Sequence, residues 1–223
     1  MLRVIDTETC GLQGGIVEVA SVDVIDGEIV NPMSDLISPD RPISHQAMAI
    51  HRITEDMVRG KPTIEQAIRR YQGSPYYVAH NASFDRRVLP EMHGDWICTM
   101  TLARRLWPGM KYGNQALREA LQLDVTPPED LHAHRALYDC YVTAALLIRI
   151  MQFSGWDAAE MVNRMQTSSA AENVFPFGKY RGQRIDSIGR KDPGYLHWML
   201  KNIPDLKPGL RGAIVRALGI ANP

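Results

Sequence analysis

The sequence predicts an α/β domain with a mixed central sheet, trailed by a small basic module, and three features carry that expectation. The chain opens with three strand-like segments joined by short turns, the pattern of an antiparallel meander. Two later apolar runs, residues 76–79 and 96–98, each pass directly into residues at helical spacing, so strands now alternate with helices. Charge then divides the chain: residues 1–174 hold 16 Lys/Arg against 22 Asp/Glu, whereas residues 175–223 hold 9 against 3, a balance of −6 beside one of +6.

The first strand is the apolar run Leu2, Val4, Ile5, which ends in Asp6-Thr7-Glu8-Thr9. Gly11 and Gly14-Gly15 mark a turn, and residues 16–24 begin apolar and then alternate, as a second strand does. Asp26-Gly27 is a hairpin turn signal, and a third strand follows over 28–37. Ser44, Thr54 and Thr63 each stand where a hydroxyl would open a helix, and Gly60 and Pro62 keep those helices short. The fourth strand, 76–79, runs into His80-Asn81-Ala82-Ser83-Phe84-Asp85, where Phe84, Val88 and Leu89 set a helix from Ser83 with Asp85 in its first turn. Residues 96–98 are the fifth strand, and Thr99 is placed to cap a helix over 100–106. Helical spacing returns at 115–121, and Pro127-Pro128 breaks the chain before a long helix over 134–151.

Residues 166–174 carry small polar side chains without periodicity and read as a linker, which sets the domains at 1–165 and 175–223. Beyond it, residues 175–182 read as an aromatic hairpin studded with cations. Asp192-Pro193 supplies an N-cap and first-turn proline for a helix carrying Tyr195, Trp198 and Met199. At about 50 residues this module is a marginal independent fold.

Hydrophobic residues make up 45% of the 223, enough for a substantial core. No apolar run approaches the ~20 residues of a membrane span. The start also lacks a basic stretch followed by an apolar one, so a cytoplasmic setting without a membrane partner is expected. Cys10, Cys98 and Cys140 are odd in number and widely spaced, which fits neither a disulfide framework nor a zinc site. A formal net charge of zero speaks against a nonspecific nucleic-acid coat, although the distribution says more than the sum.

Chemistry begins at the end of the first strand. Side chains of an extended chain alternate, so Asp6 and Glu8 point the same way. Two like charges there repel each other and resist desolvation, which asks for a cation between them, and carboxylate oxygens suit Mg2+ or Mn2+. A solvated strand end is the competing reading of this pair alone. Asp85 and Asp139 stand at the ends of elements that could converge on it.

Three ordered motifs say more than any single acid: Asp6-Thr7-Glu8-Thr9 with Gly11 two residues on, His80-Asn81-Ala82-x-Phe84-Asp85, and His134-x-Ala136-x-x-Asp139. Together they resemble the DEDD superfamily of 3'-5' exonucleases, the family of the proofreading subunits of bacterial DNA polymerases, over roughly residues 1–150. The superfamily divides by a fifth residue, a tyrosine four positions before the last aspartate or a histidine five before it. Arg135 holds the first position and His134 the second, so the chain resembles the histidine (DEDDh, DnaQ-like) branch; His132 is a competitor at the wrong spacing. Five residues turn an ideal helix by about 140°, which places His134 at a frayed helix start or on the loop before it.

The resemblance implies a ribonuclease H-like fold, a mixed five-stranded sheet flanked by helices, and hydrolysis of DNA from its 3' end to 5'-mononucleotides. It implies two Mg2+ ions, with Mn2+ able to substitute. Asp6 would bridge both ions, Glu8 and Asp139 complete the first, and Asp85 help hold the second. Two cations about 3.5–4 Å apart would generate the nucleophile, neutralise the transition state and stabilise the departing 3' oxygen. His134 would take the proton from the attacking water. Thr7, Leu12, Asn81 and Phe84 are the expected substrate contacts; ordinary packing competes for Leu12 and Phe84, and orienting the site loop competes for Asn81. His51, in His-Arg-Ile-Thr, matches a recurrent segment of the family. Glu18, on a strand predicted to be buried, reads as a structural hydrogen bonder outside the site.

The run from Phe175 to Gly182 and the later Asp-Pro-Gly-Tyr-Leu-His-Trp resemble the tail of the exodeoxyribonuclease X group, bacterial repair enzymes within this family. Lys179, Arg181 and Arg184 would contact phosphates, Tyr180 or Phe177 would stack on a base or pack at home, and Tyr195 and Trp198 are expected in the module's own core. Two other readings stay open: an RNA-trimming exonuclease of the same branch, and a catalytically silent nucleic-acid-binding module.

Overall fold

In a computed structural model of the chain, which describes residues 1–166, 174–203, 206 and 208–220, the meander forms from β1 (Leu2–Thr9), β2 (Ile16–Ile25) and β3 (Glu28–Leu36). β4 (Tyr76–Ala79) and β5 (Asp95–Cys98) complete one sheet in the order β3-β2-β1-β4-β5. β1 is its hinge of direction, antiparallel to β2 and parallel to β4. Between β3 and β4 lie α1 (His45–His51), α2 (Glu55–Val58), α3 (Ile64–Ala67) and a 3-10 turn over Ile68–Tyr71. The Ser44 and Thr54 hydroxyls accept the N–H groups of Ala47 and Met57, and the Gln66 side chain accepts from Thr63. These bonds satisfy donors that a helix start leaves orphaned.

α4 (Ala82–Val88) follows β4 without a loop, and α5 (Thr99–Leu106) follows β5 in the same way. Thr99 is not the cap expected of it. Cys98 takes that position, while the fully buried Thr99 hydroxyl lies 2.9 Å from the His80 ring, a partner that no local pattern announces. After α6 (Asn114–Ala120) comes α7 (Ala136–Ser154), long and apolar enough by length and composition to cross a membrane. Its apolar surface lies against the sheet: Cys140, Ala144 and Leu147 share one core with Val4, Ala20 and Val22. α8 (Ala158–Gln166), which the sequence reading left unassigned, adds Met161 to that core. On the other face of the sheet Ile5, Val19 and Tyr77 meet Ala82 of α4 and Leu89 just beyond it. All three cysteines are free thiols.

The residues form two compact units, Met1–Met165 and Gln166–Pro223. Of the predicted linker, residues 167–173 lie outside the described residues. The second unit holds α9 (Ile185–Lys191), α10 (Pro193–Asn202) and α11 (Pro208–Ala217) around Phe175, Tyr180, Ile188, Leu196, Met199 and Ile214. Asp192 caps α10 as its sequence announces, accepting from Tyr195 N–H at 3.2 Å. The predicted aromatic hairpin is instead a tight turn held by two isolated bridges, Val174 to Arg184 and Phe175 to Arg181, with Gly178 and Gly182 at positive φ. Of the aromatic expectations, the open choice for Tyr180 falls to packing at home, and the one for Trp198 reverses. Tyr180 is buried and its hydroxyl donates to Asp192, so it is not an open stacking surface, whereas Trp198 is 53% exposed rather than core. Leu196 and Met199 take the inward face of α10, which turns Trp198 roughly 130° away.

One ion pair ties the first unit together. Glu18 of β2, 1% exposed, accepts both the Arg135 guanidinium (3.0 and 2.6 Å) and the backbone N–H of Ala136 (2.9 Å). The carboxylate thus caps α7 at its positive end and binds the residue that precedes it. Glu18→Ala leaves a partly buried guanidinium and an open helix end, and should cost about 3 kcal/mol of unfolding free energy in urea titration. A loss under about 1 kcal/mol would show that the pair holds nothing.

Candidate active site

The strand alternation of β1 decides which acids can meet. Asp6 and Glu8 share the face of Val4, which packs under α7; Thr7 shares the face of Ile5, which packs against α4. Asp139, in the first turn of α7, therefore arrives on the Asp6 and Glu8 side. Each of the three offers a carboxylate oxygen within 4.8 Å of the others. Asp85, in the first turn of α4, comes from the opposite face: it is 3% exposed and accepts the Thr7 hydroxyl at 2.9 Å. The structure thus gathers three of the four predicted metal ligands into one cluster and sets the fourth beside it. Thr7, expected to touch substrate, gives its hydroxyl to Asp85.

Crowding governs the charge of these groups. Burial, then Asp85, Asp139, Glu8 and Glu18, hold the Asp6 carboxyl well above the usual carboxylate range. Glu8 is pushed up to about 9 by burial and then by Asp139, Glu18 and Asp85, with Arg135 pulling back. Burial raises Asp85 to about 7 against the opposing hydrogen bond from Thr7. Asp139 is raised by burial too, against the His134 N–H at 3.0 Å and weaker contacts from Asn114 and Gln115. Among the described residues no cationic side chain forms a salt bridge with any of the four, since Arg135 is committed to Glu18. A donor set of oxygens only, carrying uncompensated charge, fits a hard divalent cation.

His134 sits one residue ahead of the helix cap in the left-handed region, φ 68°, a conformation that costs a non-glycine residue energy and is held here by its N–H bond to Asp139. Its ring is exposed and makes no hydrogen bond among the described residues. The rival imidazoles are engaged. His80 lines the same cavity, of about 330 Å³, with Asp6, Glu8, Asn114, His134 and Asp139. Its Nε2 lies 2.7 Å from the Tyr112 carbonyl and its Nδ1 2.9 Å from Thr99, and burial lowers its pKa, so it is a neutral structural ring. His51 is buried between the Thr9 carbonyl and the Ile53 N–H, and His132 turns to the Ala133 carbonyl.

Leu12, 83% exposed, rides on the Gly11 to Gly15 loop that closes through Cys10 N–H to the Gly15 carbonyl at 2.7 Å. Arg87 donates to the Leu12 carbonyl at 3.2 Å and lies 5.2 Å over the half-buried Phe84 ring, so one guanidinium ties the two predicted substrate contacts together. The sequence reading passed over Arg87; its only signal was the helical spacing from Phe84. Asn81 is exposed at the α4 N-cap with φ 73°, its side chain bonded to Ser83. Lys179 and Arg181 belong to the second unit, where Lys179 pairs with Asp192 at 3.2 Å and Arg181 is exposed.

Comparison with known proteins agrees with this geometry. Residues 4–147 match the family described as Exonuclease, and residues 175–203 match the one described as Exodeoxyribonuclease X-like C-terminal. Exodeoxyribonuclease 10 of Escherichia coli (strain K12) is 65% identical over 211 residues, which are 95% of this chain and 96% of that protein. The PolC-type DNA polymerase III of Thermotoga petrophila is 35% identical over 164 residues, covering 67% of this chain and 12% of the polymerase. A solved structure of Exonuclease X in complex with 5' overhanging duplex DNA matches with TM-score 0.73 and 72% identity, over 74% of this chain and 99% of that one. The nuclease domain of 3'hExo, a DEDDh family member bound to rAMP, matches in fold with TM-score 0.54 and 18% identity, over 69% of this chain and 92% of that one. Exonucleases of this class depend on divalent metal, as the acidic cluster on β1 and α7 requires. The sheet order, the convergent acids and the family match lead to one assignment: the chain belongs to the DEDDh exonuclease family, the histidine branch of the ribonuclease H-like nucleases.

Proposed function

We propose that the protein is a 3'-5' exodeoxyribonuclease that releases 5'-mononucleotides, uses Mg2+ with Mn2+ able to replace it, and serves DNA repair in the cytoplasm. The observation that carries the reading is the gathering of Asp6, Glu8 and Asp139 within 4.8 Å beside an exposed imidazole. The relatives named for exodeoxyribonuclease activity and the DNA-bound neighbour support DNA as the substrate.

Asp6, Glu8 and Asp139 would hold the ions, with Asp85 contributing from the α4 side. Divalent cations, when bound, polarise the attacking water, neutralise charge on the phosphate and stabilise the departing oxygen. A ring nitrogen of His134 would accept a proton from the attacking water, and the backbone N–H bond to Asp139 holds this residue at the rim. Thr7 orients Asp85. Leu12 and Phe84, linked by Arg87, offer apolar surface to the terminal nucleotides.

Asp139→Asn keeps the shape and removes a charge, so digestion of a 3'-end-labelled oligonucleotide should fall at least about a hundredfold. The same change relieves repulsion, so the metal-free thermal midpoint should not drop; undiminished digestion would refute the assignment. His134→Ala should lower turnover by about 10²–10⁴ while DNA binding persists, and a rate within about threefold of wild type would remove His134 from the chemistry.

The raised carboxyls also fix the sign of a pH effect. Their folded pKa values exceed unfolded values of about 4, so the folded state favours the protonated forms. In EDTA, stability should decline as pH rises from about 4 through the Asp85 value of about 7 toward the Glu8 value of about 9. Mg2+ should flatten that decline. Thermal melts from weakly acidic to alkaline pH, with and without Mg2+, test it; a metal-free midpoint that rises with pH would contradict the crowding.

A further inference from the structure

We propose that the second unit carries a base-stacking site for single-stranded DNA, in which Trp198 is the platform and neighbouring cations receive the phosphates. The proposal rests on the reading of DNA as the substrate and adds a binding site remote in sequence from the acidic cluster.

The indole of Trp198 is 53% exposed, and the Tyr195 ring stacks on it at 6.1 Å and 21°. Tyr195 in turn stands edge-on to Phe175 (5.8 Å, 71°) and Tyr180 (5.0 Å, 85°), both of which are core. The Tyr180 hydroxyl donates at 2.7 Å to Asp192, the residue that caps α10 at Tyr195. An aromatic column therefore runs from the core to the surface and ends in a ring backed on one side. Such a ring is already immobilised, so stacking a base on it forfeits little side-chain entropy.

What surrounds the indole fits a polyanion. On α10 the positions of Gly194, His197, Trp198 and Lys201 share one outward arc of about 100°, and Gly194, four residues before Trp198, leaves room beside it. The turn at 177–179 lies against the same column: a Cβ on Gly178, whose φ is 79°, would stand 2.6 Å from the Tyr195 hydroxyl oxygen. That turn presents Phe177, 44% exposed, and Lys179. Among the described residues of this unit both acids are already matched, Asp186 with Arg184 and Asp192 with Lys179. Arg181, Arg190, Lys191 and Lys201 are exposed and form no salt bridge among the described residues, so the surface keeps a positive surplus. Cations around an exposed aromatic ring bind single strands, because every unpaired base has a face to stack whereas duplex bases are already stacked.

The test uses the full chain in EDTA, where no digestion occurs, and a fluorescein-labelled single-stranded thymidine oligonucleotide. By fluorescence anisotropy, Trp198→Ala should weaken binding about tenfold, and Trp198→Phe should restore most of it. The oligonucleotide should quench the tryptophan emission of the wild type and quench it far less in Trp198→Phe. Binding by Trp198→Ala within about twofold of wild type, or quenching unchanged in Trp198→Phe, overturns the site. Wild type that binds the strand through Trp198 yet never shortens DNA with Mg2+ would sustain the platform and break the exonuclease reading; digestion with unaltered Trp198→Ala binding would do the reverse.

Discussion

Four carboxylates around the end of one strand cannot all be charged in the absence of a cation, and much of the first unit exists to keep them there. Neutral donors soften the repulsion without ending it: Thr7 bonds to Asp85, and the His134 N–H bonds to Asp139. A guanidinium beside the cluster is drawn aside. Arg135 gives both arms to Glu18, a carboxylate on the neighbouring strand, and only weakly opposes the rise of Glu8. Had Arg135 paired with Glu8 or Asp139 instead, the pocket would be a structural salt bridge with no demand for metal. Glu18 therefore serves the site by occupying its competitor.

The sheet makes this possible because β1 has an antiparallel neighbour on one side and a parallel one on the other. The end of β1 thus lies beside the end of β4, from which α4 begins, and α7 crosses the opposite face. Acids on successive outward and inward positions of β1 would point away from each other. Asp6 and Glu8, two residues apart, both face α7, and Thr7 between them reaches α4. Asp139 also gains from its place in the first turn of a 19-residue helix, whose N-terminal dipole favours negative charge. The helix end and the strand end compensate in part what the crowding costs.

Features set by local covalent logic were legible before any coordinates. The facing of Asp6 and Glu8 follows from strand periodicity, the caps at Ser44, Thr54 and Asp192 from short side chains ahead of helical spacing, and the position of His134 outside the helix from its offset to Asp139. What escaped was settled by distant partners. Thr99 could have capped α5, but His80, far earlier in the chain, offered a buried bond. Asp85 was expected among the ligands, and its hydroxyl partner Thr7 lies on the face that the pairwise reading ignored. In the second unit, helices α9 and α11 went unassigned, and Trp198 was assigned to the core. A core shared by three short helices is a property of their assembly, and a ten-residue helix does not declare which of two aromatic faces turns inward.

The division of charge has a physical consequence for substrate capture. A first unit with surplus acid offers a polyanion little long-range attraction, so under the proposed function contact with the 3' end would depend on bound cations and on short-range apolar surface such as the exposed Leu12. A basic unit joined covalently to it, binding DNA as proposed, would convert repeated encounters into an intramolecular search at high effective concentration. In the proposed stacking site, phosphate contacts by Arg181 or Lys201 would weaken steeply as salt rises, since each would gain from counterion release. Stacking on an indole carries no such dependence, because it neutralises no charge. A module holding both kinds of contact therefore keeps part of its grip where a purely cationic tail would let go, and that residual grip tolerates any base sequence the catalytic unit has to digest.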